Sequence, residues 1–353
     1  MSKMLDEIRQ QPAALEATLR DELGVARDLK KVFEKKRPRS VVLAARGTSD
    51  NAAQFGRYLI EITASIQTSL AAPSIFTLYG ATVDFSDTLV VAISQSGEST
   101  DTNVVLQKAR DAGATTVGIT NEEGSTMARL AEHVFTVRAG KEESVAATKT
   151  YTGQLLSMYL LAHALGARID LDDVRRIPEF ANQALALERV VGEIAGRYRF
   201  MDHAVVIGRG LNYSNAFEFA LKLMETCYVV AERFSSADLL HGPIAMVEQS
   251  FPSFLFTPGG VTWPGLKEVL AKLQSLKAET LLITDAGNRE AVNAGARCIE
   301  IPVELGNKSY PVEELYTTIP YIIPAQLFAA KLAAEKGLDP DQPRTLQKVT
   351  RTL

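Results

Sequence analysis

Four hydroxyls crowd into the seven residues Ser94-Gln95-Ser96-Gly97-Glu98-Ser99-Thr100, directly after the apolar run Thr88-Leu89-Val90-Val91-Ala92-Ile93. The run reads as a buried parallel strand, and the turn behind it opens into a helix. The first N–H groups of a helix have no intrahelical partner, so such a turn can hold a phosphate without a lysine or arginine. The plain alternative is a helix N-cap, a position that Ser and Thr favour anyway. One hydroxyl would serve a cap, whereas four at the carboxyl end of a strand suit an anion. A second loop of the same kind, Gly47-Thr48-Ser49, follows Ser40-Val41-Val42-Leu43-Ala44.

Acid–base chemistry has its own candidates. In Phe217-Glu218-Phe219-Ala220-Leu221-Lys222-Leu223-Met224-Glu225 the charged residues are spaced four and three apart, which puts Glu218, Lys222 and Glu225 on one face of an otherwise apolar helix. A solvated stripe with an ion pair is the plain reading; a helix this apolar suits a stripe that lines a cleft. A carboxylate in a cleft can have its pKa raised into the range of a general base. His241 stands on a Gly-Pro turn, a loop position of the kind that carries function. Lys348, near the end of the chain, is not singled out by composition.

Three strand-and-turn segments recur at nearly one offset. Ser40-Val41-Val42-Leu43-Ala44-Ala45-Arg46-Gly47-Thr48-Ser49 reads similarly to Ala204-Val205-Val206-Ile207-Gly208-Arg209-Gly210-Leu211-Asn212-Tyr213-Ser214. Ser94 lies 47 positions past Gly47, and Thr257 lies 47 past Gly210. Thr116-Val117-Gly118-Ile119-Thr120-Asn121 then matches Thr280-Leu281-Leu282-Ile283-Thr284-Asp285. Duplication of one α/β domain explains this economically. Short β-branched runs alternating with helical patterns predict βαβ crossovers and a mainly parallel five-stranded sheet in each copy, doubly wound, with ligands at the carboxyl ends of the strands. Leu59-Ile60-Glu61-Ile62, Phe76 and Val134-Phe135-Thr136-Val137 fill out the remaining elements of the first copy, and Cys298-Ile299-Glu300-Ile301-Pro302 matches its late strand in the second.

The expected organisation is a helical arm over residues 1–36, a first sandwich domain over 37–168, a charged helical linker over 169–195, a second sandwich over 196–337, and a tail over 338–353. The chain has 353 residues, 46% of them hydrophobic and 23% charged, so it can bury two sizeable cores. A net charge of −4 offers no electrostatic footprint for nucleic acid. Two cysteines, Cys227 and Cys298, form no framework, as expected in a reducing cytosol. The charged start Met1-Ser2-Lys3-Met4-Leu5-Asp6-Glu7 has no signal-peptide pattern, and no run is long enough to span a bilayer. A cytoplasmic protein is the expectation. Gly208-Arg209-Gly210 carries two glycines of the dinucleotide fingerprint but Tyr213 stands at the third, which argues against a nucleotide there. No Walker pattern occurs.

Taken in order, Arg46-Gly47-Thr48-Ser49, Ser94-Gln95-Ser96-Gly97-Glu98-Ser99, Val145-Ala146-Ala147-Thr148-Lys149, Gly208-Arg209-Gly210, Glu218 to Glu225, His241-Gly242-Pro243 and Asp341-Gln342-Pro343-Arg344 through Lys348 resemble the sugar isomerase (SIS) family, in particular the isomerase half of the glucosamine-6-phosphate synthases. The resemblance spans about residues 40–350. It implies a sugar phosphate gripped by Ser49, Ser94, Gln95, Ser96 and Ser99, with Thr48 near the sugar hydroxyls and Val145 and Glu218 in the substrate site. It implies that Glu225 shuttles a proton between C1 and C2, that Lys222 supports the open-chain sugar, and that His241 assists ring opening from the neighbouring subunit of a homodimer. It further implies that Lys348 engages the ketose carbonyl, that Glu142 lies near the sugar amino group, and that no cofactor or metal is needed.

This chain departs from those synthases in four places. It enters the first sugar unit by residue 40 without a cysteine-led glutaminase, so it is not expected to draw ammonia from glutamine. Ala147 stands in place of a serine and Met224 in place of a lysine, and the tail closes on Arg351-Thr352-Leu353. The resulting expectation is a phosphosugar isomerase that deaminates glucosamine 6-phosphate to fructose 6-phosphate and ammonia. A fructosamine-6-phosphate deglycase and a plain aldose–ketose isomerase are alternatives within the same chemistry. A sugar-phosphate sensor without turnover is an alternative of another class.

Overall fold

The computed structural model describes residues 2–306, 312–346 and 348. The tail end at 351–353 lies outside them. The chain sorts into two compact units: residues 10–142, 147–175 and 346–353 form one, and residues 1–9, 143–146 and 176–345 form the other. The helical arm is therefore shared out, α1 (Lys3–Arg9) going to the second unit and α2 (Gln11–Lys35) to the first. Three short helices, α8 (Leu171–Arg175), α9 (Ile177–Leu185) and α10 (Glu188–Ala195), fill the stretch read as a helical linker.

In the first unit, β1 (Ser40–Ala44), β2 (Gln67–Leu70), β3 (Thr88–Ile93), β4 (Thr115–Thr120) and β5 (His133–Thr136) pair in parallel in the order β2-β1-β3-β4-β5. All six residues of β3 are buried, because helices cover both faces of a parallel sheet. The helices are α3 (Thr48–Ala64), α4 (Ser74–Thr77), α5 (Thr100–Asp111), α6 (Thr126–Leu130) and α7 (Lys149–Ala164), with α2 packed on α7. Leu59-Ile60-Glu61-Ile62 belongs to α3, where Leu59 and Ile60 face the core. The edge strand is the polar β2, of which only Thr68 is fully buried.

The second unit repeats the plan. β6 (His203–Gly208), β7 (Val230–Ser235), β8 (Pro252–Phe256), β9 (Glu279–Asp285) and β10 (Arg297–Ile301) are all parallel, in the order β10-β9-β8-β6-β7. Counted within the unit this is again 2-1-3-4-5, so both sheets reverse winding direction between their first and third strands. That switch point opens a crevice at the carboxyl ends of the two strands. The helices are α11 (Tyr213–Cys227), α12 (Ser236–Leu240), α13 (Trp263–Ser275), α14 (Arg289–Val292) and α15 (Thr318–Glu335). Phe219 of α11 meets Phe254 of β8 and Phe328 of α15 edge-on, with ring centroids 5.2 and 5.7 Å away. These contacts fix the rotation of α11 and with it the face that carries its charges. Among the described residues no helix is long and apolar enough to cross a membrane.

Candidate active site

In the first unit the switch point lies between β1 and β3, and the loops leaving those strands are the two hydroxyl-bearing turns. Ser94 continues the ladder by donating its N–H to Ile119 O at 3.0 Å, after which the chain turns. Gly97 holds the turn at φ +64, and a Cβ there would fall 2.2 Å from Ser125 Oγ. The geometry therefore demands glycine. Asn103 Nδ2 and the Met127 N–H both donate to Gly97 O, at 3.0 Å each, which makes the turn rigid.

The hydroxyls keep their protons to donate. Ser94 Oγ accepts from the Gly97 N–H at 3.2 Å, Ser96 Oγ from the Glu98 N–H at 3.3 Å, and Ser49 Oγ from Gln154 Nε2 at 3.0 Å. Each oxygen has taken a donor, so its O–H is free to serve another acceptor, as an anion site requires. Ser99 is the N-cap of α5, and its side chain makes no capping hydrogen bond. The N–H groups that open α5 are thus available as the helix-terminus argument requires. Thr48 begins α3 behind Gly47, and Ser49 is buried in its first turn. Gln95 and Ser96 are half-buried at the tip of the turn. Sequence reading missed two supports: Gln154, hidden in the uniformly buried α7, and Asp101, whose Oδ2 takes two hydrogen bonds from Arg46 at 2.8 and 3.1 Å.

Glu142 and Lys348 also fall in the first unit. Glu142 is buried and accepts from the Thr148 N–H (2.9 Å), the Thr150 hydroxyl (2.7 Å) and Lys348 Nζ (2.9 Å). Burial pushes its carboxyl up, but the Lys348 ammonium and the Thr148 and Thr150 donors outweigh that and hold it below the usual carboxylate range. The resemblance set Glu142 beside a sugar amino group; in this structure its partner is the tail lysine. Val145, half-buried in the 143–146 segment, groups with the second unit.

On the second unit's α11, Lys222 is fully buried between Glu218 (3.4 Å) and Glu225 (2.5 Å). The stripe is not solvated. A buried ammonium persists only when paired, and Glu218, itself fully buried, supplies one partner while the partly exposed Glu225 supplies the other. Of the three, Glu225 alone offers a carboxylate to solvent or substrate. His241 is exposed at the end of α12. The tail leaves α15 well anchored: Asp341 accepts from the Lys3 and Met4 N–H groups at 2.7 and 2.8 Å and from Ser2 Oγ at 2.9 Å. Arg344 then donates its N–H to Tyr228 Oη at 2.8 Å and lays its guanidinium 4.5 Å from that ring's centroid.

The dinucleotide alternative finds a different explanation for its glycines. A Cβ on Gly208 would lie 2.4 Å from Asn212 O, so the turn's own backbone excludes a side chain. At Gly210 the obstacle is Glu314 Oε1, 2.8 Å away.

A family model described as the SIS domain matches residues 35–164 and 199–335. The chain belongs to the SIS domain family. It is 35% identical over 348 residues to the glutamine–fructose-6-phosphate aminotransferase (isomerizing) of Methanothermobacter thermautotrophicus, a match covering 98% of this chain and 56% of that protein. The enzyme of the same name from Aquifex aeolicus is 33% identical over 98% of this chain and 57% of its own length. The chain thus spans a little over half the length of these curated relatives. Among solved structures, the C-terminal domain of glucosamine-fructose-6-phosphate aminotransferase from Francisella tularensis superimposes with a TM-score of 0.87 at 28% identity, over 97% of this SIS chain and 98% of that one. Glucosamine-6-phosphate deaminase from Thermotoga maritima shares the fold, with a TM-score of 0.75 at 21% identity over 99% and 100%. The kinship of this chain is with the phosphosugar isomerases of the SIS family.

Proposed function

We propose that this protein deaminates glucosamine 6-phosphate to fructose 6-phosphate and ammonia by a C1–C2 proton transfer. The phosphate is held in the β1/β3 crevice by Ser94, Ser96, Ser99 and Ser49, with the start of α5 and the Gln95 segment completing the cradle and Thr48 beside the sugar hydroxyls. Glu225 removes the C2 proton of the open-chain aldose, and the electron pair moves to give a 1,2-enol bearing the amine. Returning the proton to C1 leaves a C2 imine, which one water converts to ketone and ammonia. C1 is reduced as C2 is oxidised, so the sum needs no outside oxidant or reductant. Lys222, bound to Glu225, steadies the base and the charge that develops on the sugar, with Glu218 behind it. His241 assists ring opening from the partner in a cytoplasmic homodimer, and Lys348 engages the carbonyl.

The observation that carries this reading is the Glu218–Lys222–Glu225 chain, a buried ammonium tied to one accessible carboxylate. A binding module has no use for such an arrangement. The test is ammonia release coupled to fructose 6-phosphate formation from glucosamine 6-phosphate, run beside a fructosamine 6-phosphate and an unsubstituted aldose 6-phosphate. Release of ammonia from the first alone supports the proposal. Turnover of only the second or third would replace it with deglycase or isomerase activity, and binding without any turnover would leave a sensor.

A further inference from the structure

The two switch-point crevices correspond residue by residue, yet they differ in what fills them. Gly47 and Gly210 both stand at φ +57 after the first strand of their sheets. Ser94 donates its N–H to Ile119 O at 3.0 Å, and Thr257 donates its own to Ile283 O at 2.9 Å. Six positions further on, α5 begins at Thr100 and α13 at Trp263. That makes Ser99 and Thr262 counterparts, the N-caps of the two helices. Above Gly47 a Cβ would meet nothing within 4 Å, whereas above Gly210 it would meet Glu314 Oε1 at 2.8 Å. Thr262 donates its hydroxyl to Glu314 Oε2 at 2.7 Å, and its N–H bonds the same carboxyl. Glu314 is only 2% exposed. Beside it, Glu313 closes over Gly260, the counterpart of Gly97, where an added Cβ would lie 2.9 Å from Glu313 Cβ.

We infer that Glu314 is an internal plug: its carboxyl fills the second unit's counterpart of the β1/β3 crevice, bound by the counterpart of Ser99, and restricts the chain to one phosphate. The inference rests on the β1/β3 crevice being the working anion site. A carboxyl group attached to the chain needs no association entropy, so it outcompetes a free anion for the same donors. A cavity of about 320 Å³ adjoins the site, with Thr262, Gly265 and the opposed charges Arg209 and Glu268 in its wall, and gives an outside anion a route once Glu314 is shortened.

Equilibrium dialysis with radiolabelled inorganic phosphate counts the sites. The wild-type chain should bind one phosphate, Glu314→Ala two, and Glu314→Gln, which keeps the shape of the plug, one. Adding Thr262→Val to Glu314→Ala should return the count to one. If Glu314→Ala does not fold, Glu314→Ser takes its place. Two phosphates on the wild type, or no site gained over the wild type by the folded Glu314→Ala or Glu314→Ser chain, would overturn the inference. If the wild type bound none while Glu314→Ala bound one, the reading of the β1/β3 crevice would fail and the plug role would survive.

Discussion

Lys348 Nζ lies 2.9 Å from Glu142 Oε2, a contact between residues 206 positions apart that ties the tail to a carboxylate with no solvent exposure of its side chain. The pair contributes to holding the tail down. Glu142→Gln should free the tail, and limited proteolysis should then cut beyond residue 345 at least several-fold faster than in the wild type. Removing one partner of a buried pair costs up to about 3 kcal/mol, discounted here because Lys348 is a quarter exposed. Unchanged protease resistance would show that the Glu142–Lys348 pair does not hold the tail.

Glu225→Gln keeps the hydrogen-bonding shape beside Lys222 but removes the base. Turnover should fall by about 10²- to 10⁴-fold, the usual contribution of a positioned general base, with phosphosugar affinity nearly unchanged. Full turnover in this variant would refute the proton shuttle.

Ser96→Ala removes one hydroxyl from the phosphate turn without touching the strand. A hydrogen bond to a charged group contributes about 1.5–3 kcal/mol, so KM should rise roughly 10- to 160-fold at constant kcat. Inorganic phosphate should weaken as a competitor by the same factor.

Gly97→Ala forces a Cβ into the left-handed region and onto Ser125 Oγ. The backbone term is about 1–2 kcal/mol and the overpacking about 1–3 kcal/mol more. Thermal unfolding should shift down accordingly. Combining it with Ser125→Gly should recover only part of the packing share, since Thr120 Oγ1 still lies 2.9 Å from the added Cβ and the φ penalty stays.

Glu314 gives the stability of the protein a pH dependence. Burial pushes its carboxyl up to about 7, with Thr262 partly countering and Glu313 adding to the rise. The folded state therefore holds the proton more tightly than the unfolded chain. The stabilisation is complete below about 4.5, the unfolded value, and is lost as pH climbs through about 7. The difference amounts to about 3 kcal/mol between pH 4 and pH 8. Glu314→Gln should flatten that part of the unfolding profile; an identical slope in the variant would assign it to other groups.

The turn after β3 was legible because a fully buried strand leaves an unbroken apolar run that ends where the turn begins. The repeat was legible through Gly47, Gly210 and their partners, since a positive φ admits little but glycine. The edge strand Gln67–Leu70 was not, because one exposed face and a polar composition erase its signature. Leu59-Ile60-Glu61-Ile62 is an apolar run of strand length, and periodicity alone does not separate such a run from a helix turn. Glu142 as the tail's partner, Gln154 as the donor to Ser49, and Glu314 in the second crevice depend on contacts over 206, 105 and 52 positions, to which local pattern is blind.

Because residues 10–142, 147–175 and 346–353 make one unit while 1–9, 143–146 and 176–345 make the other, neither is a contiguous stretch of chain. During synthesis the lysine that pairs with Glu142 follows it by 206 positions, behind the whole 176–345 segment of the other unit. The nascent protein cannot finish its first half before its second. Simple truncation at any single bond would likewise yield no intact half, so studying either one alone calls for a circularly rearranged gene.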